Sequence, residues 1–231
     1  QGHSSRGRLR HPVRFWPVRS LTTNRRLVVM DVDSTFITAE VIELLAQHAG
    51  SREQVAEITE AAMRGELDFE ASLHARVATL AGLPTSVFAE VRDAVEVSPG
   101  VPELVEFLAQ RDWPLALVSG GFIEIVGPLA ATWGITRARA NALEVDSNHR
   151  LTGKVTGPVI DRAAKEAALR EYAAQENVAI ADTVAIGDGA NDLDMLAAAG
   201  LGIAFNAKPV VADQADHAVY HSLTEVLALL G

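Results

Sequence analysis

The chain has 231 residues, 48% of them hydrophobic and 22% charged, with a formal charge of −10; that suffices for one generous core, or one core and a small accessory unit, but not for two large domains. It contains no cysteine, which excludes disulfides, thiolate metal sites and a cysteine nucleophile, and permits the reducing, cytoplasmic setting expected for it. No apolar run approaches the roughly 18 to 20 residues that cross a bilayer, because residues 196–205 are interrupted by Gly200 and Gly202.

Residues 1–26 hold seven Arg and no acid, so residues 27–231 carry −17, a body that repels nucleic acid. Such a leader has the composition of an organellar transit segment. Gln1-Gly2-His3 reads instead as the remnant of a protease site, and the residues after it lack helical periodicity. Residues 1–24 are therefore expected to be an added or disordered tail outside the fold.

Residues 27–30, Leu-Val-Val-Met, are a short apolar run ending at Asp31, the pattern of a buried strand whose end meets solvent. From Glu40 to Val95 the pattern turns to helix after helix, over 41–49, 52–64, 69–80 and 84–95, divided by Gly50, Gly65 and Gly82-Leu83-Pro84. A helix over 102–111 then leads into an apolar run at 115–118, which opens into Ser119-Gly120-Gly121. Residues 142–154 alternate with period two around Asp146-Ser147-Asn148 and predict a β-hairpin. A helix at 162–175 precedes a run at 183–186 that ends in Gly187-Asp188-Gly189, and a helix at 192–199 precedes a run at 202–205 that ends at Asn206. Strands alternating with helices predict an α/β fold with a parallel, Rossmann-like sheet. Residues 25–37 and 98–231 would form its core, and residues 38–97 a helical insert leaving the sheet after the first strand.

In such a sheet the loops at the carboxyl ends of the strands converge on one crevice. Asp31-Val32-Asp33-Ser34-Thr35, Ser119-Gly120-Gly121, Lys165 and Gly187-Asp188-Gly189-Ala190-Asn191-Asp192 are thereby expected to meet. Phosphoryl transfer needs an in-line nucleophile, a hard cation, donors for the equatorial oxygens and a proton for the leaving group. This inventory holds all four. Asp31 would attack, and Asp31, Asp33 and Asp188, with a backbone carbonyl among the ligands, would hold a partly hydrated Mg2+. Asp33 would protonate the leaving oxygen and later take a proton from attacking water. Lys165 would offset repulsion between nucleophile and phosphate, while Ser119, the N–H groups around Gly120, and Asn191 would donate to phosphate oxygens. Asp192 would fix the lysine or a metal-bound water. Singly these are weak signals, since Asp-x-Asp is most often a solvated turn and Asn191 an ordinary helix cap. Their joint order after predicted strands is what points to chemistry.

Asp31-Val-Asp-Ser-Thr, Val118-Ser-Gly-Gly-Phe122, Lys165 and Val184-Ala-Ile-Gly-Asp-Gly-Ala-Asn-Asp192 together resemble the four motifs of the haloacid dehalogenase-like phosphatases, over residues 27–231. The resemblance implies a four-helix cap over a Rossmann-like core and an aspartyl-phosphate route. It also implies O-phospho-L-serine as the small-molecule substrate, at the last step of L-serine biosynthesis. By the same resemblance Glu40 and Arg76 would contact the substrate ammonium and carboxylate, with Met63 and Phe69 lining the pocket. Phe36 and Ala39 depart from the family pattern and bear on cap packing. Three other readings remain open: a phosphatase or phosphotransferase for another small phosphomonoester, a phosphoacceptor signalling receiver, and a catalytically silent binding protein. Asp33 counts against the receiver, because an acid/base beside the acceptor hastens loss of the acyl phosphate. No membrane or nucleic-acid partner is expected, and a homodimer is one of the assembly states open to the chain.

Overall fold

The computed structural model describes residues 25–231, so the tail expected over 1–24 lies outside the described residues. Strand β1 (Leu27–Met30) is buried along its whole length. Val28 and Met30 pack into one hydrophobic cluster with Phe36, Leu104 and Val126, whereas Leu27 and Val29 pack into another with Leu169 and Met195. A strand covered on both faces needs no polar alternation, hence the unbroken apolar run. Residues 32–36 then make a wide turn closed by Ile37 N–H donating to Val32 O at 3.0 Å, with Ser34 in the left-handed region at φ 57°.

Four helices follow before any second strand: α1 (Val41–Ala49), α2 (Arg52–Met63), α3 (Phe69–Ala78) and α4 (Val87–Ala94). Gly50 ends α1 at φ 68°, and Asp68 caps α3 by accepting from Ala71 N–H at 2.7 Å. Pro84 does not open α4 as predicted. It forms a bridge with Arg150, while Gly82 N–H donates to Leu151 O at 2.7 Å and Leu151 N–H to Leu83 O at 2.8 Å.

The rest of the chain alternates α5 (Val101–Gln110), β2 (Leu115–Phe122), α6 (Ile123–Thr132), β3 (Arg137–Val145), β4 (Leu151–Thr156), α7 (Arg162–Gln175), β5 (Thr183–Gly187), α8 (Leu193–Ala198), β6 (Leu201–Phe205), α9 (Pro209–Ala212), β7 (His217–Val219) and α10 (Thr224–Leu230). One sheet has the order β4-β3-β2-β1-β5-β6-β7, parallel throughout except at the β3–β4 hairpin. The hairpin's first arm begins at Arg137 rather than at the expected residue 142, and that arm doubles as a member of the parallel sheet. Among the described residues no helix is long and apolar enough to cross a membrane.

Phe36, unusual in the motif, is completely buried and meets Trp133 edge-on at 6.1 Å between ring centroids. Phe36→Ala is expected to lower the unfolding free energy by about 3 to 5 kcal/mol. Urea denaturation would show this as a lower midpoint at unchanged slope.

Candidate active site

The loops after β1, β2 and β5 meet at the carboxyl edge of the sheet, where the strand order reverses about β1. Asp31 directly follows β1 and is 4% exposed. Its Oδ1 accepts from Lys165 Nζ at 2.7 Å, and the same ammonium donates to Asp192 Oδ1 at 2.7 Å. Lys165 and Asp192 are fully buried. The lysine arrives from the start of α7, which Asp161 caps by accepting from Ala164 N–H at 2.8 Å. Burial would strip the lysine of its proton, but Asp192 and Asp31 outweigh it and raise its pKa. Asp31 is pushed well above the usual carboxylate range, first by burial and then by the charge of Asp192, against the pull of Lys165.

Asp192 Oδ2 accepts from the N–H groups of Asp188 and Gly189, at 3.2 and 3.1 Å, which curls the β5 loop around it. Gly187 permits this approach, since a Cβ there would sit 2.5 Å from the Asp192 carboxylate. Asp188 Oδ1 in turn accepts from the buried Thr35 hydroxyl at 2.9 Å. Burial, and next the charge of Asp192, push Asp188 up to about 6.

Asp31, Asp188 and Asp192 bring carboxylate oxygens within 4.8 Å of one another, an acidic cluster of the kind that binds a metal ion. An all-oxygen set suits a hard cation. Both oxygens of Asp192 are already engaged, by Lys165 and by the loop amides, so Asp31 and Asp188 keep the acceptor capacity a cation requires. The Asp33 carboxylate, expected among the metal ligands, is outside this cluster.

Asp33 Oδ2 accepts from Val41 N–H at 3.3 Å, whereas Oδ1 is buried without a hydrogen-bond partner among the described residues. Burial, then the charge of Glu40, push Asp33 up to about 8. A carboxyl so raised is protonated to a larger share at neutral pH than an ordinary one, and the protonated state is the one needed to protonate a leaving group. Ser119 is fully buried beneath the β2 loop and its Oγ accepts from Gly121 N–H at 2.8 Å. A Cβ on Gly121 would sit 3.0 Å from Ser119 Oγ and 3.1 Å from Asp33 Oδ2, so the glycine keeps open the space between those two groups.

A cavity of about 320 Å³ opens above these groups. Asp31, Asp33, Gly120, Asp188 and Asn191 line it from the sheet edge, and Glu40, Phe69 and Arg76 from the helical insert. Glu40 Oε1 accepts from the Ser34 hydroxyl at 2.6 Å, and Arg76 Nε donates to Ser72 O at 3.2 Å. Burial lowers the pKa of Arg76, with the charges of Glu40 and Asp33 opposing the shift. Met63 ends α2, but its side chain is outside what the structure describes.

Two residues to which the sequence assigned no role, Thr35 within the first motif and Asn141 outside all of them, join this group. Thr35 orients Asp188, as above. Asn141 is 1% exposed, donating to Gly120 O at 2.9 Å and accepting from Ile160 N–H at 2.8 Å. Its one sequence signal is an amide amid the alternating Arg and Ala of residues 137–142.

A largely parallel sheet thus gathers acidic, amino and hydroxyl groups at one edge, beside one cavity that the helical insert also lines. The chain belongs to the haloacid dehalogenase-like hydrolases, whose family model matches residues 28–197. It is 57% identical over 208 residues to the phosphoserine phosphatase of Streptomyces coelicolor, covering 90% of this chain and 50% of that one. It is 50% identical to the phosphoserine phosphatase of Streptococcus thermophilus, covering 84% of this chain and 89% of the relative. A solved structure described as a phospho-aspartyl intermediate analogue of phosphoserine phosphatase superposes with a TM-score of 0.83 at 39% identity, covering 89% of this chain and 98% of that one. The chain thus spans about half the length of the Streptomyces relative and nearly all of the Streptococcus one.

Proposed function

We propose that this chain is a Mg2+-dependent phosphoserine phosphatase, hydrolysing O-phospho-L-serine to L-serine and phosphate at the last step of L-serine biosynthesis. The observation that carries the reading is a single buried carboxylate, Asp31, gripped on one oxygen by Lys165 and facing a cavity shared with Asp33 and Asp188. The names of the relatives, and the solved structure described as a phospho-aspartyl intermediate analogue of phosphoserine phosphatase, support it.

Asp31 attacks the phosphorus, the phosphorus–oxygen ester bond breaks, and Asp33 gives its proton to the departing serine oxygen. Water then attacks the acyl phosphate, Asp33 recovers a proton from it, and phosphate leaves with Asp31 restored. Lys165 keeps the anionic nucleophile tolerable beside an anionic substrate. Mg2+, held by Asp31, Asp188 and the Asp33 carbonyl, would neutralise charge on the phosphoryl oxygens. Gly120, Ser119 and Asn191 supply donors to those oxygens. Residues 38–97 serve as a cap over the core of 25–37 and 98–231, and limit water around the acyl phosphate.

The substrate's head group is read by opposite charges on the insert, with Glu40 toward the ammonium, Arg76 toward the carboxylate and Phe69 against the carbon skeleton; Met63 is assigned to the same pocket. Arg76→Ala is expected to cost about 1.5 to 3 kcal/mol, or roughly 10- to 150-fold in kcat/KM on O-phospho-L-serine. Turnover of a plain alkyl phosphate should barely change, and an equal loss on both esters would count against the clamp. The deciding experiment is steady-state phosphate release from O-phospho-L-serine and from an alkyl phosphate, with and without Mg2+. Preference for the amino acid ester together with Mg2+ dependence supports the reading. A stably phosphorylated chain without turnover would point to a receiver.

A further inference from the structure

We propose that Asn141 is a positioning residue for phosphoryl transfer, which sets the Ser119–Gly121 donors against the Lys165–Asp31 pair. The inference rests on the phosphatase reading above. Strands β2 and β3 stay in register from Ala116 opposite Arg137 to Val118 opposite Arg139, and the register then shifts before Phe122 opposite Asn141. Ser119, Gly120 and Gly121 are the residues in that slip, where a ladder is locally disrupted.

Side chains hold them instead. The peptide joining Gly120 to Gly121 is tied at both ends, its C=O accepting from Asn141 Nδ2 at 2.9 Å and its N–H donating to Ser119 Oγ at 2.8 Å. Because Ser119 Oγ accepts that bond, its O–H remains a donor for a phosphate oxygen. The other end of the same amide, Asn141 Oδ1, accepts from Ile160 N–H at 2.8 Å. Only one orientation of the amide satisfies a carbonyl on one side and an N–H on the other, so its two atoms are assigned by their partners. Ile160 adjoins Asp161, the cap of α7, and Lys165 on that helix grips Asp31. One buried amide therefore joins the loop that faces the phosphate to the helix that carries the cation.

Misplacing reacting groups by about 1 Å costs on the order of 10²-fold in rate. Asn141→Asp keeps an acceptor for Ile160 N–H and removes the donor to Gly120 O. For this variant kcat on both O-phospho-L-serine and p-nitrophenyl phosphate is expected to fall about 10- to 100-fold, with KM within about 3-fold of wild type. Inhibition by orthovanadate, which mimics the transferring phosphoryl group, should weaken in parallel with kcat. Should the added carboxylate prevent folding, Asn141→Ser carries the same test without a buried charge. Thr183→Val is the control, because Thr183 is equally buried but bonds to Ile180 O and Gly200 N–H at the far end of β5. It should lose melting temperature without losing kcat. A folded Asn141 variant with wild-type kcat and vanadate affinity overturns the inference. So does a Thr183→Val protein whose kcat falls as far for the same loss of melting temperature. A wild-type chain that neither hydrolyses a phosphate ester nor binds vanadate refutes the phosphatase reading and this inference together. Wild-type turnover and vanadate binding that the Asn141 variants match refute this inference alone.

Discussion

Asp31→Asn is expected to lower phosphate release by about 10⁴-fold or more, the scale on which removal of a nucleophile acts. The substitution is isosteric, and its amide oxygen can still face Lys165, so the cavity should keep its shape. A loss of this size without unfolding shows that the carboxylate acts in turnover, as nucleophile or as metal ligand, and trapping of the phosphoenzyme separates the two roles. The fold itself should not suffer. Burial and the neighbouring Asp192 and Asp188 raise the pKa of Asp31, so its charge opposes folding, and stability tied to its protonation is present at low pH and lost as pH rises. A neutral amide removes that repulsion, and thermal melting at pH 7 in metal-free buffer should be equal to wild type or higher. Quenched-flow with radiolabelled substrate would complete the test: wild type should show an acid-stable, hydroxylamine-labile phosphoprotein and Asp31→Asn none. Full turnover by the amide variant would eliminate the nucleophile assignment.

The parts of the fold legible in the sequence are those in which local pattern and tertiary environment agree. The runs at 27–30 and 183–186 read as strands because both faces of the sheet bury them. Helix α1 ends where Gly50 predicts, and α7 matches its predicted span of 162–175. The misses fall where tertiary context overrode pattern. Helix α6 carries Gly127 and Pro128, which argue against a helix, yet Ile125, Val126 and Ala130 are buried against the sheet. The first half of β3 alternates Arg137, Ala138, Arg139 and Ala140, all partly exposed, so it lacks the apolar run of its neighbours. Its arginines find partners on and just beyond α7, Arg137 with Glu176 at 2.6 Å and Arg139 with Glu171 at 2.8 Å. Strand β7 is too short, at three residues, to announce itself.

The candidate site was legible to the extent that its residues sit directly at strand ends. Asp31, Ser119 and Asp188 follow or close apolar runs, and the rule that such ends converge suffices to bring them together. The sequence left Asp192 between the lysine and a metal-bound water; Lys165 donates to it at 2.7 Å, and its carboxylate also lies in the acidic cluster with Asp31 and Asp188. Convergence of the strand ends brings the Thr35 segment to the Asp188 loop but does not single out the hydroxyl that bonds Asp188, and nothing in the spacing of Asn141 reveals a partner 19 residues away. A register slip in a strand pair, which creates the need for Asn141, leaves no mark on composition or period.

Lys165→Met should combine a large loss of activity with a large loss of stability, and the two can be separated. The ammonium is the counter-charge for Asp31 and Asp192, at 2.7 Å from each and with no exposure to solvent. Removing it leaves two buried carboxylates facing each other, a change that costs about 3 to 5 kcal/mol when one partner of a buried pair is deleted. Without the pull of the ammonium, Asp31, already raised by burial and by the charge of Asp192, is pushed further up, so the deficit should shrink as pH falls toward its protonation and grow as pH rises. Urea unfolding at pH 5 and pH 8 reads this directly, and a deficit independent of pH would contradict the electrostatic origin. The double variant Lys165→Met with Asp192→Asn deletes one of the two repelling charges while leaving an amide oxygen for the N–H groups of Asp188 and Gly189. It is expected to regain much of the lost stability but none of the turnover. In the proposed mechanism the lysine's positive charge offsets the repulsion between the anionic nucleophile and the anionic ester, and restored folding does not bring that charge back.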